Sequence, residues 1–345
     1  MKAAVFQGVN QGLAIEHVAD PTPAPSQVVL KVVRSGVCGS DIKLTEPRGE
    51  PSPLDPFYDR LFAPGRILGH EFAGEVVALG RDVRNLKVGD RIAPMAATGC
   101  GFCLTCVSGK ADWCTELHAP MGGYAEYGLA NEKFCVRLPE GASYDDGMLI
   151  EPMGTCLHAV DLAHLQLGSR IIVFGAGAIG LGIVYFARRS GVRQIITVAR
   201  SDRQKDLALR MGSDVFLTQG PDLMAQLADL TGGGADVAFE ASGALGVIDQ
   251  AMLAVRPQGL IVSAGINLLP DPVRHALAVG KEIRLQYSAS YTRSDFEYLA
   301  NLFGSETVPL SELVTRRVGL SDFPAAFEDL RTRNAECKLM LDPWG

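Results

Sequence analysis

The run RIIVF leads straight into Gly175-Ala176-Gly177-Ala178-Ile179-Gly180, and a second apolar stretch follows. A β-branched apolar run, spaced glycines and a further apolar segment predict a buried strand, a tight turn and the start of a buried helix. Downstream, QIITVA, VAFEA and GLIVSAG alternate with RQKDLALRMG and VIDQAMLAV. Strands alternating with helices from Leu167 onward imply βαβ units and a parallel sheet. The segment also holds 17 uncharged residues between Arg170 and Arg188, near the lower limit for a membrane span. Four glycines among those 17 favour strand, turn and helix over a span.

In this context Gly175 permits the turn, Gly177 lets the backbone approach a pyrophosphate, and Gly180 allows close helix–strand packing. The N–H groups at the helix start, Ala178 and Ile179, would face the phosphates. Without a ligand the same segment is a glycine-rich packing turn. The next strand ends at Ala199-Arg200-Ser201, followed by Asp202-Arg203. An NAD site places an acidic residue about 20 residues past the glycines, against the ribose 2′-hydroxyl. Arg200, Ser201 and Arg203 instead suit a 2′-phosphate, so NADP is expected over NAD. The rival reading gives Asp202 the acidic role, or makes the arginines surface charges.

The first 150 residues have a different texture. AAVF, VVLKVV, EVVALG, DRIAP and FCVRL are strand-like and punctuated by Gly and Pro. After about Tyr287 short helices and a closing strand, CKLMLDP, are expected. A length of 345 residues fits roughly two domains. A net charge of −7 argues against binding to a phosphate backbone. No apolar stretch near the start resembles a signal peptide, so a cytoplasmic protein with no membrane partner is expected.

Four of the eight cysteines fall at Cys100, Cys103, Cys106 and Cys114. Four soft thiolates this close suit a structural zinc in a reducing compartment. A four-iron cluster or free thiols are the alternatives. A dispersed set, Cys38 in CGSD, His70-Glu71 in GHE and Glu151 in EPMG, is bland residue by residue. Beside a nucleotide site it suggests a catalytic zinc with an open position. Cys135, Cys156 and Cys337 are left as buried thiols.

Together these residues resemble the zinc-dependent medium-chain dehydrogenases/reductases, the alcohol dehydrogenase superfamily. GHEFAGEVVALGRDV, VCGSD, VGDRI, the four-cysteine lobe, GGYAEY, IEPMG, FGAGAIGLG and FPAAFEDL follow the family's order along essentially the whole chain. Glu151 in EP resembles the sorbitol and threonine dehydrogenase branch. The resemblance implies an α/β chain: a doubly wound Rossmann domain, 156–289, inserted in a GroES-like β-rich catalytic domain, 1–155 and 290–345. The structural zinc lobe would span about 96–116. Two zinc ions per chain and a homodimer or homotetramer are also implied.

By the same resemblance Cys38 and His70 are zinc ligands, and Glu71 and Glu151 alternate as further ligands. Ser40 matches the hydroxyl of the proton relay, and Asp41 a residue that orients it or a ligand. Many relatives carry His five residues after the first cysteine ligand; this chain has Lys43 there. The implied reaction is hydride transfer between an alcohol or ketone and the nicotinamide, with zinc as Lewis acid. The segment between Cys38 and His70 is longer than in typical relatives and holds Phe57 and Tyr58. It is read either as a wall for a bulky secondary alcohol or as a surface or subunit-contact loop. Two other classes stand against this reading. A zinc-free quinone or enoyl reductase of the superfamily would lack the Cys38/His70/Glu71/Glu151 set. A non-enzymatic zinc module would not need the glycine fingerprint.

Overall fold

RIIVF forms the strand Arg170–Phe174 and is followed, across the glycine turn, by the helix Ala178–Arg189. These belong to a computed structural model that describes all residues except 48, 50, 53, 54, 97, 109, 112, 113, 117–120, 306, 307 and 333–335. The chain divides into two units, 155–290 and 1–154 with 291–345.

In the 155–290 unit six strands form one parallel sheet: Arg170–Phe174, Gln194–Ala199, Val215–Thr218, Ala235–Glu240, Val255–Ser263 and Arg284–Tyr287. Numbered in chain order they lie 3-2-1-4-5-6, the doubly wound order. Ile172, Phe174, Ile196, Val198, Ala238 and Ile261 are buried with side chains of the flanking helices, including Leu227 and Met252. Apolar strands covered on both faces follow from that burial. Because every strand is parallel, Phe174, Ala199 and Glu240 end at one edge, where doubly wound sheets bind ligands. No described helix is long and apolar enough to cross a membrane.

The other unit is built on the strand Gln27–Gly36. It pairs antiparallel with Glu71–Leu79, Tyr127–Asn131 and Lys338–Asp342. Register sets Glu71 opposite Gly36, and Met340 opposite Gly36 on the other side. The strand Lys338–Asp342 also carries a parallel neighbour, Val314–Gly319. Val28, Leu30, Val32, Phe72, Val76 and Ile92 fill this core. One 19-residue helix, Tyr144–Leu162, begins in this unit and contains Pro152.

Candidate active site and metal centres

Asp41 sits in the helix Gly39–Leu44 and is fully buried. Its Oδ2 accepts from the backbone N–H of Cys38 at 3.2 Å, an N3 carboxylate reaching back to the helix cap. The same oxygen accepts from the hydroxyl of Tyr124. Its Oδ1 faces His70 Nδ1 at 3.4 Å. One carboxylate therefore bonds a cysteine backbone and faces an imidazole ring. Gly69 makes this approach possible. Its φ is +86°, and a Cβ there would lie 2.4 Å from the Tyr124 ring. Burial works to lower the His70 pKa, but the Asp41 charge and bonds to Asp41 and Cys38 outweigh it and hold it well above the usual range. Ser40 and Lys43, both half-buried, lie on the same helix three residues apart and share a face.

Glu71 opens its strand against Gly36. A Cβ on Gly36 would meet Glu71 Oε2 at 2.2 Å, so glycine leaves room for the carboxylate. Both Glu71 oxygens accept from Lys338 Nζ, which also donates to Val37 O at 3.0 Å. Glu151 is buried in the long helix, and burial pushes its pKa up to about 7 despite the nearby His70. Its carboxyl bonds to Tyr291, whose hydroxyl also accepts from Ala96 N at 2.8 Å. Gly154, one helical turn from Glu151, lets the Tyr291 ring approach: a Cβ there would sit 3.1 Å from it.

Cys38, His70 and Glu151 thus offer a thiol, an imidazole and a carboxyl in one buried neighbourhood, and Glu151 has a charge that burial disfavours. That donor set fits a zinc ion with an open position. Among the described residues, only Cys100, Cys103, Cys106 and Cys114 place three or more candidate ligand atoms within 4.8 Å of one another. Cys38, His70, Glu71 and Glu151 are more widely spread, and Glu71 is turned to Lys338.

The four-cysteine lobe fits a tetrahedral ion closely. Cys100 and Cys106 sulfurs lie 3.9 Å apart, and Cys103 and Cys114 sulfurs 3.8 Å apart. Four sulfurs at the usual zinc distance sit about 3.8 Å from each other. Backbone N–H groups of Cys100, Cys103 and Glu116 point at sulfur at 3.4, 3.4 and 3.3 Å. A bond with the Thr105 hydroxyl (3.0 Å) draws the Cys103 thiol down to about 6. Of the remaining cysteines, Cys135 and Cys156 are buried and Cys337 is half-buried.

At the fingerprint Gly175 has φ +110°, and a Cβ there would crowd Ala241 C at 2.9 Å. A Cβ on Gly180 would lie 1.9 Å from Gly175 O, whereas nothing lies within 4 Å at Gly177. The turn is thus tight at both ends and open in the middle, ahead of the first-turn N–H groups of Ala178 and Ile179. Ala199 ends the second strand; Arg200, Asp202 and Arg203 are exposed and Ser201 is half-buried. Glu240, at the end of the fourth strand, accepts from Ser242 N, Ser242 Oγ and Gly243 N at 2.7–2.8 Å and so fixes the loop beside Gly175.

Phe57 and Tyr58 lie half-buried on the helix Asp55–Leu61, their rings 5.6 Å apart. Residues 48, 50, 53 and 54 of that segment lie outside the described residues. Lys338, Tyr124, Tyr291 and Glu240 have no counterpart among the residues singled out by sequence. Lys338 had a readable signal: a lysine beside Leu339, Met340 and Leu341 in a buried strand needs a partner.

Two family models match the chain: an alcohol dehydrogenase GroES-like domain over residues 24–140 and a zinc-binding dehydrogenase over 178–305. An (R,R)-butanediol dehydrogenase of Bacillus subtilis is 32% identical over 355 residues, covering 99% of this chain and 100% of the relative. A sorbitol dehydrogenase of Halalkalibacterium halodurans is 31% identical, covering 99% of each. The solved structure of a zinc-binding dehydrogenase from Sinorhizobium meliloti, bound to NADP, superposes with a TM-score of 0.85 at 27% identity over 99% of both chains. With its parallel doubly wound sheet and separate antiparallel β-rich unit, the chain belongs to the zinc-dependent medium-chain alcohol dehydrogenase family and is an alcohol oxidoreductase.

Proposed function

We propose that the chain interconverts a secondary alcohol or polyol and its ketone, prefers NADP to NAD, and holds two zinc ions, one catalytic and one structural. The observation that carries this reading is the Asp41 carboxylate, which joins the backbone of Cys38 to the ring of His70. Relatives named for sorbitol and butanediol support a substrate with a secondary hydroxyl.

Cys38, His70 and Glu151 would hold the catalytic zinc, which supplies Lewis acidity toward the substrate oxygen. Glu71 serves as a neighbouring carboxylate, restrained by Lys338. With zinc bound, Asp41 Oδ1, 3.4 Å from Nδ1, would orient the imidazole and leave the other ring nitrogen for the metal. The Ser40 hydroxyl would accept the alcohol proton while releasing its own toward solvent along the helix face it shares with Lys43, whose positive charge favours the alkoxide. A nicotinamide cofactor would supply the hydride chemistry, and the Gly175–Gly180 turn would receive its pyrophosphate. Arg200, Ser201 and Arg203 would hold the 2′-phosphate. Phe57 and Tyr58 form a wall of the substrate entrance. The edge strand Arg284–Tyr287 is largely exposed, which supports pairing into a homo-oligomer.

A screen of secondary alcohols, polyols and aryl alcohols with both cofactors tests the reading. Turnover of a secondary alcohol with a higher kcat/KM on NADP is expected. Absence of turnover with every alcohol tested, in protein carrying two zinc ions, would overturn it.

A further inference from the structure

We propose that Arg331 is a positioning residue for the reaction, fixing the helix Gly39–Leu44 and with it Ser40 and Asp41 from nearly 290 positions away. The inference rests on the roles just proposed for Cys38, Ser40 and Asp41.

A six-residue helix cannot hold itself, since helices this short are unstable alone and their last carbonyls have no partner within the helix. Arg331 supplies those partners. Its Nη1 donates to Ile42 O at 3.0 Å, and its Nη2 donates to Thr45 Oγ1 at 2.9 Å. Thr45, buried to 1% exposure, passes the contact on by donating to Asp41 O at 2.6 Å. The cation also lies at the negative end of the helix dipole.

The guanidinium is itself fixed. Glu328 grips it through two bonds, 2.6 Å to Nε and 3.2 Å to Nη2. It lies 5.5 Å from the Phe327 ring, and its side chain is 20% exposed. Phe327 and Phe323 in turn stack edge-on against Tyr124, with centroids 6.2 and 4.7 Å away. Tyr124 donates to the Asp41 carboxylate. The helix Phe323–Asp329 and the turn after it therefore reach Asp41 by two routes, one through its main-chain oxygen and one through its side chain. Lysine could not reproduce this fork, because one ammonium lacks the planar spread of donors.

Displacement of a reacting group by about 1 Å can cost on the order of 10²-fold in rate. Freed from Arg331, the helix end keeps its fold context but loses its anchor. In Arg331→Ala, kcat should fall about tenfold or more while KM for the cofactor stays within about twofold. Arg331→Lys should fall between. Release of one zinc per chain to a chelator, measured without turnover, should quicken, because Cys38 caps the same helix. Arg316→Ala serves as the control: it breaks an ion pair with Asp329 on the same C-terminal segment without touching this helix, and kcat should not change. Thr45→Val added to Arg331→Ala should cost less than the sum of the two single changes, since each removes the Arg331–Thr45 bond.

Unchanged kcat in folded Arg331→Ala, with Ser40→Ala inactive, would overturn the positioning role and leave the site intact. Full activity in both Ser40→Ala and Cys38→Ser would instead remove the site reading on which it stands. Should Arg331→Ala not fold, Arg331→Lys carries the test: a lower kcat with unchanged cofactor KM supports the role, and an unchanged kcat refutes it.

Discussion

Both carboxylate oxygens of Glu71 accept from the ammonium of Lys338, at 2.6 and 2.8 Å, and neither side chain is more than 4% exposed. Burial lowers the pKa of Lys338, but Glu71, Cys38 and Glu151 more than restore it, so the cation is kept. Its charge offsets two buried carboxylates in one small volume.

Removing that cation should be severe. Lys338→Met leaves Glu71 buried and unpaired, and breaking such a pair from one side costs about 3–5 kcal/mol. Chemical denaturation should show that loss. Adding Glu71→Leu to the same chain should recover most of it, because an apolar pair of similar volume is tolerated.

The two metal sets should separate by experiment. His70→Ala should lose turnover and one zinc while still binding the nicotinamide cofactor, measured by fluorescence titration. Cys103→Ser should lose the other zinc and unfold at lower temperature, with kcat within about twofold below that temperature. Turnover retained by zinc-free His70→Ala protein would refute the catalytic assignment.

Arg200 tests the cofactor preference. A charge-assisted hydrogen bond is worth roughly 1.5–3 kcal/mol, so Arg200→Ala should raise KM for NADP about tenfold or more. KM for NAD should move far less. Equal changes on both cofactors would count against a 2′-phosphate contact.

Asp236 gives a pH prediction remote from the metals. Burial would raise its pKa, but the Arg170 N–H at 2.8 Å and the Arg256 guanidinium at 2.7 Å win and hold it below its ordinary value of 3.8. A depressed carboxylate stabilises the fold above that ordinary value, and the contribution is lost as pH falls through the native pKa. Asp236→Asn should therefore be less stable than the unmodified protein at neutral pH. The gap should close on acidification below about pH 4. A gap independent of pH would show that the charge is not the cause.

Much of the fold was legible because its signals are local. RIIVF, QIITVA and VAFEA are apolar and β-branched where the parallel strands lie, and Gly175 and Gly180 stand where a Cβ would strike backbone. The short strands Val215–Thr218 and Arg284–Tyr287 were not legible because four half-exposed residues at a sheet edge are too few to set a hydrophobic period. The 19-residue helix Tyr144–Leu162 carries Gly147, Pro152 and Gly154, which weaken a helical pattern. At the site, Cys38, His70, Glu71 and Glu151 were legible as residue types in the family's order. Their partners were not: Tyr124, Tyr291 and Lys338 act through contacts set by packing, over separations that no local pattern encodes.

The strand Lys338–Asp342 lies between two other strands, pairing with Val314–Gly319 on one side and Gln27–Gly36 on the other. Its first residue carries the ammonium that neutralises Glu71. A nascent chain halted before residue 338 would already hold Cys38, His70 and Glu151, yet a gap in the sheet and an uncompensated acid would stand beside them. The four-cysteine lobe closes within 15 positions and is free of that delay. On the proposed two-zinc reading, the structural metal could thus be captured early in synthesis, while the catalytic one would meet its full charge balance only once the strand Lys338–Asp342 is in place.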